Sequence, residues 1–135
     1  MGRPLLILVD THVVVWLAFE EARISRRARS AIEETRQHGE GLAISGISLL
    51  ELARIFDRER SRFAIGAESV IAAIEQRFVV LPINGRISLR MLALPSTYPK
   101  DPADRIIGAT ALVEGIPLVT ADREIRKSRA LPTIW

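Results

Sequence analysis

The side chains best suited to do chemistry in this sequence are carboxylates. Asp10 ends the apolar run Leu5-Leu6-Ile7-Leu8-Val9, Glu51 follows the short stretch Leu42-Ala43-Ile44, Asp104 closes Asp101-Pro102-Ala103-Asp104, and Asp122 follows Leu118-Val119-Thr120. With no cysteine and only His12 and His38, thiolate sites are excluded and a zinc site built on imidazoles has too few ligands. Any metal here is held by oxygen. Two like charges about 4 Å apart repel by roughly 4 kcal/mol at an effective dielectric near 20, so converging carboxylates either keep protons or recruit a cation. Magnesium or manganese answers that demand, taking oxygen ligands, activating water and offsetting charge on a phosphate. Taken singly, each acid also has a structural explanation. Acids at helix N-termini stabilise by a few tenths to about 1 kcal/mol, and Ser48-Leu49-Leu50-Glu51 matches a capping box.

The elements around these residues decide whether they meet. An aliphatic run without alternation predicts a central parallel strand covered on both faces, with Asp10 at its carboxyl end, where open α/β sheets bind ligands. A largely buried helix over 11–19 follows, with Thr11 placed to cap it. A second helix starts at Ser25 and runs to about 37. After the strand at 42–44 comes a helix over 47–58, with Leu49, Leu50, Leu52, Ala53 and Phe56 inward. Residues 58–66 read as a charged loop, 67–76 as a helix and 78–81 as the third strand. Asn84 opens a helix with Ile87, Leu89 and Leu92 as its apolar positions. The proline-bounded stretch 95–100 cannot continue it and reads as the mobile loop of the chain. Asp101 caps the next helix, Pro102 begins it and Gly115 ends it. A strand over 116–120, a helical turn from Ala121 and an edge strand at 132–134 complete the chain. Strands alternating with helices argue for a parallel sheet with helices on both faces. One end of that sheet can collect all four acids.

At 135 residues the chain is expected to be one domain, 1–135, with a core of its own. Its formal charge is +3, its sequence pI is about 10.2, and its basic side chains are 17 Arg against 2 Lys. Arginine is the better phosphate ligand, which favours contact with nucleic acid. No window has the length of a membrane span and no signal peptide is evident, so a cytoplasmic protein without membrane contact is expected. Trp16, Phe19, Phe56, Phe63 and Ile65 border charged stretches, where they either close the core or line an apolar groove.

The words Val9-Asp10-Thr11-His12, Ile47-Ser48-Leu49-Leu50-Glu51, Asp101-Pro102-Ala103-Asp104-Arg105-Ile106-Ile107 and Leu118-Val119-Thr120-Ala121-Asp122 resemble those of PIN-domain ribonucleases. Within them the nearest group is the VapC-type toxins of type II toxin–antitoxin systems. The resemblance implies a PIN-like three-layer α/β/α fold with a parallel sheet of four to five strands in the order 3-2-1-4-5. It implies a divalent-metal-dependent endoribonuclease in which Asp10, Glu51, Asp104 and Asp122 are the catalytic and metal-binding residues. Thr11 and Thr120 would support them, with Asp101 at most an outer contributor. It further implies Mg²⁺ or Mn²⁺ as cofactor, RNA as substrate, a cognate antitoxin as partner and a homodimer. Relatives often carry a histidine just before the Asp-Pro word, where this chain has Pro99-Lys100. The alternatives are a non-catalytic PIN-like RNA-binding or interaction subunit and a phosphoacceptor receiver-like domain. Against the receiver, no second acid stands beside Asp10, none follows the third strand in Pro82-Ile83-Asn84, and no lysine closes the last strand.

Overall fold

The computed structural model describes residues 6–135, apart from the side chain of Ser61. In chain order the elements are β1 (Leu6–Val9), α1 (Thr11–Phe19), a 3₁₀ turn (Glu21–Arg23), α2 (Arg26–His38), β2 (Gly41–Ser45), α3 (Gly46–Arg58) and α4 (Arg60–Phe63). There follow α5 (Ala67–Arg77), β3 (Val79–Leu81), α6 (Gly85–Leu92), α7 (Pro102–Glu114), β4 (Leu118–Val119), α8 (Arg123–Ser128) and β5 (Thr133–Ile134). The five strands form one parallel sheet in the order β3-β2-β1-β4-β5, as the resemblance implied. Leu5, which opens the predicted strand run, lies outside the described residues. Among the described residues no helix is long and apolar enough to cross a membrane.

β1 lies at the centre, and its unbroken apolar run follows from burial on both sides. Ile7 and Val9 point to one face, where they join Val13, Val14, Ile32, Leu42, Ile44, Leu52 and Phe56. Leu8 points to the other, against Leu118, Ile107, Ala111, Ile125 and Tyr98. The register sets Leu8 beside Leu118 and Val9 beside Val119, so β1 and β4 end level with each other. The Asp10 N–H donates to the Val119 carbonyl at 3.0 Å, and the chain leaves the sheet only after that bond.

Several local expectations are corrected. The cap of α1 is Asp10, whose side chain accepts from the Thr11 N–H, and Thr11 is already inside the helix. The cap of α3 is Ser45, so Ser48 and Glu51 do not form a capping box. Leu50 is half exposed, and on α6 only Ile87 is buried while Leu89 and Leu92 are 70% and 74% exposed. The stretch 58–66 is not all loop, because α4 makes one turn within it and ends at Ala64 in the left-handed region. Phe19, Phe56 and Phe63 form a tilted cluster with ring centroids 4.8 to 5.4 Å apart. Phe56 is buried in it, while Phe19 remains 41% exposed.

The segment 95–100 is pinned by side chains. Tyr98 is 1% exposed and its hydroxyl donates to the Asp104 carbonyl at 2.8 Å. The Arg105 guanidinium donates to the carbonyls of Pro99, Met91 and Leu94 at 3.2, 3.4 and 3.2 Å. Tyr98 rests on Gly108, where an added Cβ would overlap the phenolic oxygen and ring. Because the ring is buried it has little room to retreat. Gly108→Ala is therefore expected to destabilise by about 1–3 kcal/mol through overpacking, whereas Gly85→Ala, with nothing within 4 Å of the added methyl, should be neutral or stabilising. Urea titrations of both variants check this, and equal midpoints would refute the close approach.

Candidate active site

Asp10 is the most buried of the acids, and its two oxygens are held from opposite elements. Oδ1 accepts from the Thr11 N–H at 2.9 Å and Oδ2 from the Thr120 hydroxyl at 2.6 Å. The second contact exists because β4 ends beside β1. Thr120 Oγ1 in turn accepts from the Asp122 N–H at 3.1 Å. Asp122 then caps α8, with Oδ1 accepting from the Glu124 and Ile125 N–H groups at 2.8 and 3.1 Å.

Glu51 is fixed across the sheet end by α1. The Thr11 hydroxyl donates to Glu51 Oε1 at 2.6 Å. Its single proton is thereby used, so the 2.9 Å contact between Ser48 Oγ and Thr11 Oγ1 has Ser48 as donor. Ser48 and Glu51 meet on Thr11 because residues three apart share a helix face. Ser48 was missed as a site residue, for the spacing that reads as a cap is the same spacing that aligns two side chains. No buried side-chain N or O among the described residues lacks a hydrogen-bond partner.

Asp104 lies on the first turn of α7, and Asp101 caps that helix by accepting from the Asp104 N–H at 3.4 Å. The five acids Asp10, Glu51, Asp101, Asp104 and Asp122 line one cleft of 360 Å³, together with His12, Val13, Trp16 and Ala121. Asp101, expected at most at the periphery, is exposed at its rim. Among the described residues no three of these side chains already stand at the spacing of a metal cage. The acids surround a cleft without closing it. The donor set nonetheless suits a hard divalent ion, since it is all oxygen and carries unneutralised charge.

That charge, together with burial, raises the Asp10 and Asp104 carboxyls of the cleft. The Asp104 carboxyl is pushed up to about 7 by burial first and then by the charges of Asp10, Asp101, Asp122 and Glu51. Burial likewise raises Asp10, against the lowering effects of the Thr120 hydroxyl, the Thr11 N–H and His12, while Asp122 adds to the rise. The Tyr98 phenol is pushed well up by burial and by Asp104, and stays protonated to serve as the donor on the Asp104 carbonyl.

A parallel sheet in this order with acids at its carboxyl edge is the frame of a PIN domain, and a profile of that family, the PIN domain, matches residues 7–131. The chain belongs to the PIN-domain family. More particularly, it is 39% identical over 131 residues to ribonuclease VapC22 of Mycobacterium tuberculosis, with 96% of this chain and 98% of that protein covered. Among solved structures it resembles VapBC2 from Rickettsia felis bound to a DNA fragment from their promoter, with TM-score 0.74, 16% identity and coverage of 95% and 96%. DNA-bound VapBC from Salmonella typhimurium is equally similar in fold, with TM-score 0.74, 18% identity and coverage of 96% and 97%.

The raised carboxyls set the sign of the pH dependence. An unfolded Asp loses its proton near its ordinary value of 3.8, whereas folded Asp104 keeps it to about 7. The metal-free fold thus binds more protons than the unfolded chain between those values, and stability falls as pH rises through the window. Chelator-treated protein should melt at a lower temperature at pH 8 than at pH 5, and Asp104→Asn should flatten the difference. Thermal scans across that range check the sign, and a melting temperature that climbs from pH 5 to 8 would show that the acids are not crowded.

Proposed function

We propose that this chain is a divalent-metal-dependent endoribonuclease acting as the toxin of a toxin–antitoxin pair in the cytoplasm, with residues 1–135 as one PIN-like domain. The observation that carries the reading is the gathering of five carboxylates around one cleft, in a chain 39% identical to a ribonuclease. Asp10, Glu51, Asp104 and Asp122 are the ligands we assign to Mg²⁺ or Mn²⁺, with Asp101 outside them. Such a cation would activate a water and offset charge on the scissile phosphodiester.

The chain's own residues prepare that site. Thr120 and the Thr11 N–H hold both Asp10 oxygens in place, each with a lone pair still available. The Ser48–Thr11–Glu51 relay fixes Oε1 and leaves Oε2 for a ligand. Tyr98 and Arg105 keep the start of α7 against the 95–100 segment and so hold Asp104 at the cleft.

The antitoxin partner is assigned to an apolar groove of 220 Å³ lined by α1, α2, α3 and α5, with Leu17, Phe19, Phe56, Ile65 and Phe78 among its walls. A partner helix laying an apolar face there is the chemistry this lining suits. Trp16 lies outside this lining and belongs to the acidic cleft instead. A homodimer is supported by Leu89 and Leu92, three apart on α6 and both exposed.

Two outcomes are expected. Asp10→Asn, Glu51→Gln, Asp104→Asn and Asp122→Asn should each lower RNA cleavage in Mn²⁺ at least a hundredfold, because each removes charge with little change of shape. Mn²⁺ at about a hundred times its dissociation constant should add roughly 2.7 kcal/mol to the wild-type fold. Cleavage assays with melting curves read both, and cleavage that survives chelation and all four substitutions would reject the assignment. For the partner, Phe19→Ala and Ile65→Ala should weaken antitoxin binding in titration calorimetry while Lys127→Ala on α8 does not. Equal affinities throughout would empty the groove of its proposed role.

A further inference from the structure

Aromatic side chains border the acidic cleft, with a cation stacked behind them. His12 and Trp16 line it beside the carboxylates. The Trp16 and Trp135 ring centroids are 5.8 Å apart at 57°, and those of His12 and Trp16 are 6.5 Å apart at 48°. The Arg23 guanidinium carbon sits 4.4 Å from the Trp16 ring centroid. His12 is exposed, Trp16 and Trp135 are half-buried, and the His12 imidazole makes no hydrogen bond among the described residues. Packing of Trp16 and Trp135 against the core explains their buried halves. It does not explain why an imidazole and an indole, tilted at 48° to each other, line a cleft of acids.

Electrostatics narrows what such a lining can take. A phosphodiester strand approaching five carboxylates is repelled, so charge alone cannot hold it there. An uncharged nucleobase has no such penalty. Unpaired bases are bound by stacking on aromatic rings and on arginine planes, and because every base has a π-face the mode needs no particular sequence. Arg23, whose side chain is 56% exposed and which pairs with Glu20 at 3.4 Å, adds a cation behind these rings. It can meet a phosphate at a distance from the acids.

We propose that His12, Trp16 and Arg23, with Trp135, form a nucleobase subsite that receives an unpaired base of the RNA strand next to the scissile phosphate. This rests on the ribonuclease reading above. The two tryptophans of the chain are Trp16, which lines the cleft, and its ring neighbour Trp135, so their fluorescence reports on this part of the molecule. Titrating wild type in Ca²⁺, an oxygen-liganded cation that offsets the carboxylates, with a short single-stranded oligoribonucleotide of mixed sequence should quench that fluorescence. A fully abasic oligonucleotide of the same length should bind without the quench. Trp16→Leu and His12→Ala should raise KM for single-stranded RNA by roughly tenfold, the scale of one lost stacking contact, with a smaller effect on kcat. Their affinity for the fully abasic oligonucleotide should equal that of wild type.

His12→Ala carries the test if Trp16→Leu does not fold, because His12 is a surface residue. RNA binding by anisotropy without any quench, or an unchanged KM for His12→Ala, would overturn the subsite and leave the nuclease standing. Quenching by an acidic peptide and none by RNA would give these rings to a protein partner and also overturn it. If wild type neither binds nor cleaves RNA, the ribonuclease reading falls, and the subsite with it.

Discussion

The structure turns on a carboxylate that has given up its water. Asp10 stands at the end of the central strand, where burial on both faces of the sheet removes solvent from its side chain. A buried charge is tolerable only with strong partners. The two that Asp10 has come from the first residue of α1 and from the end of β4, and both depend on the parallel register that levels β1 with β4. The other acids are then drawn into the same field. Asp104 cannot ionise at its ordinary pKa because it is partly buried and, after that, because Asp10 and its neighbours are already there. A site of this kind is a standing electrostatic debt that a cation can discharge.

α1 is the element through which the two sides of the molecule meet. Its sequence is apolar nearly all round, which marks a helix covered on most of its circumference. Val13 and Trp16 line the acidic cleft, while Val14, Leu17, Ala18 and Phe19 line the apolar groove. Thr11 at its start fixes Glu51. One short helix thus borders the acids, the aromatic wall and the groove, and whatever fills the groove lies one helix thickness, about 10 Å, from the cleft.

Much of this was legible before any coordinates. The aliphatic run of β1, the alternation of strands and helices, and the acids after strand ends were enough to put Asp10, Glu51, Asp104 and Asp122 at one edge of a parallel sheet. The cap of α1 was misplaced by one residue because Asp10 and Thr11 both carry a short oxygen side chain at the turn, and sequence does not say which one faces back. Helical periodicity assigns Leu89 and Leu92 to the core because it marks an apolar face without saying what covers it. Two prolines forbid helix over 95–100, and by sequence alone that makes the stretch a mobile loop. Nothing local reveals that the guanidinium of Arg105 and the ring of Tyr98 tie that stretch down. The Ser48–Thr11–Glu51 relay was hidden for the same reason, since it joins residues 37 and 40 positions apart.

The hydrogen bond between Thr120 and Asp10 spans 110 positions of sequence, so the site is closed by a contact between distant parts of the chain. β4 and β5 are two residues each, so this edge of the sheet has few backbone bonds to resist local opening. Local opening at this edge would part Thr120 from Asp10 and loosen the cleft while the helices and the β1–β2 pairing stay in place, so the chemistry of the site is tied to the least tethered margin of the sheet.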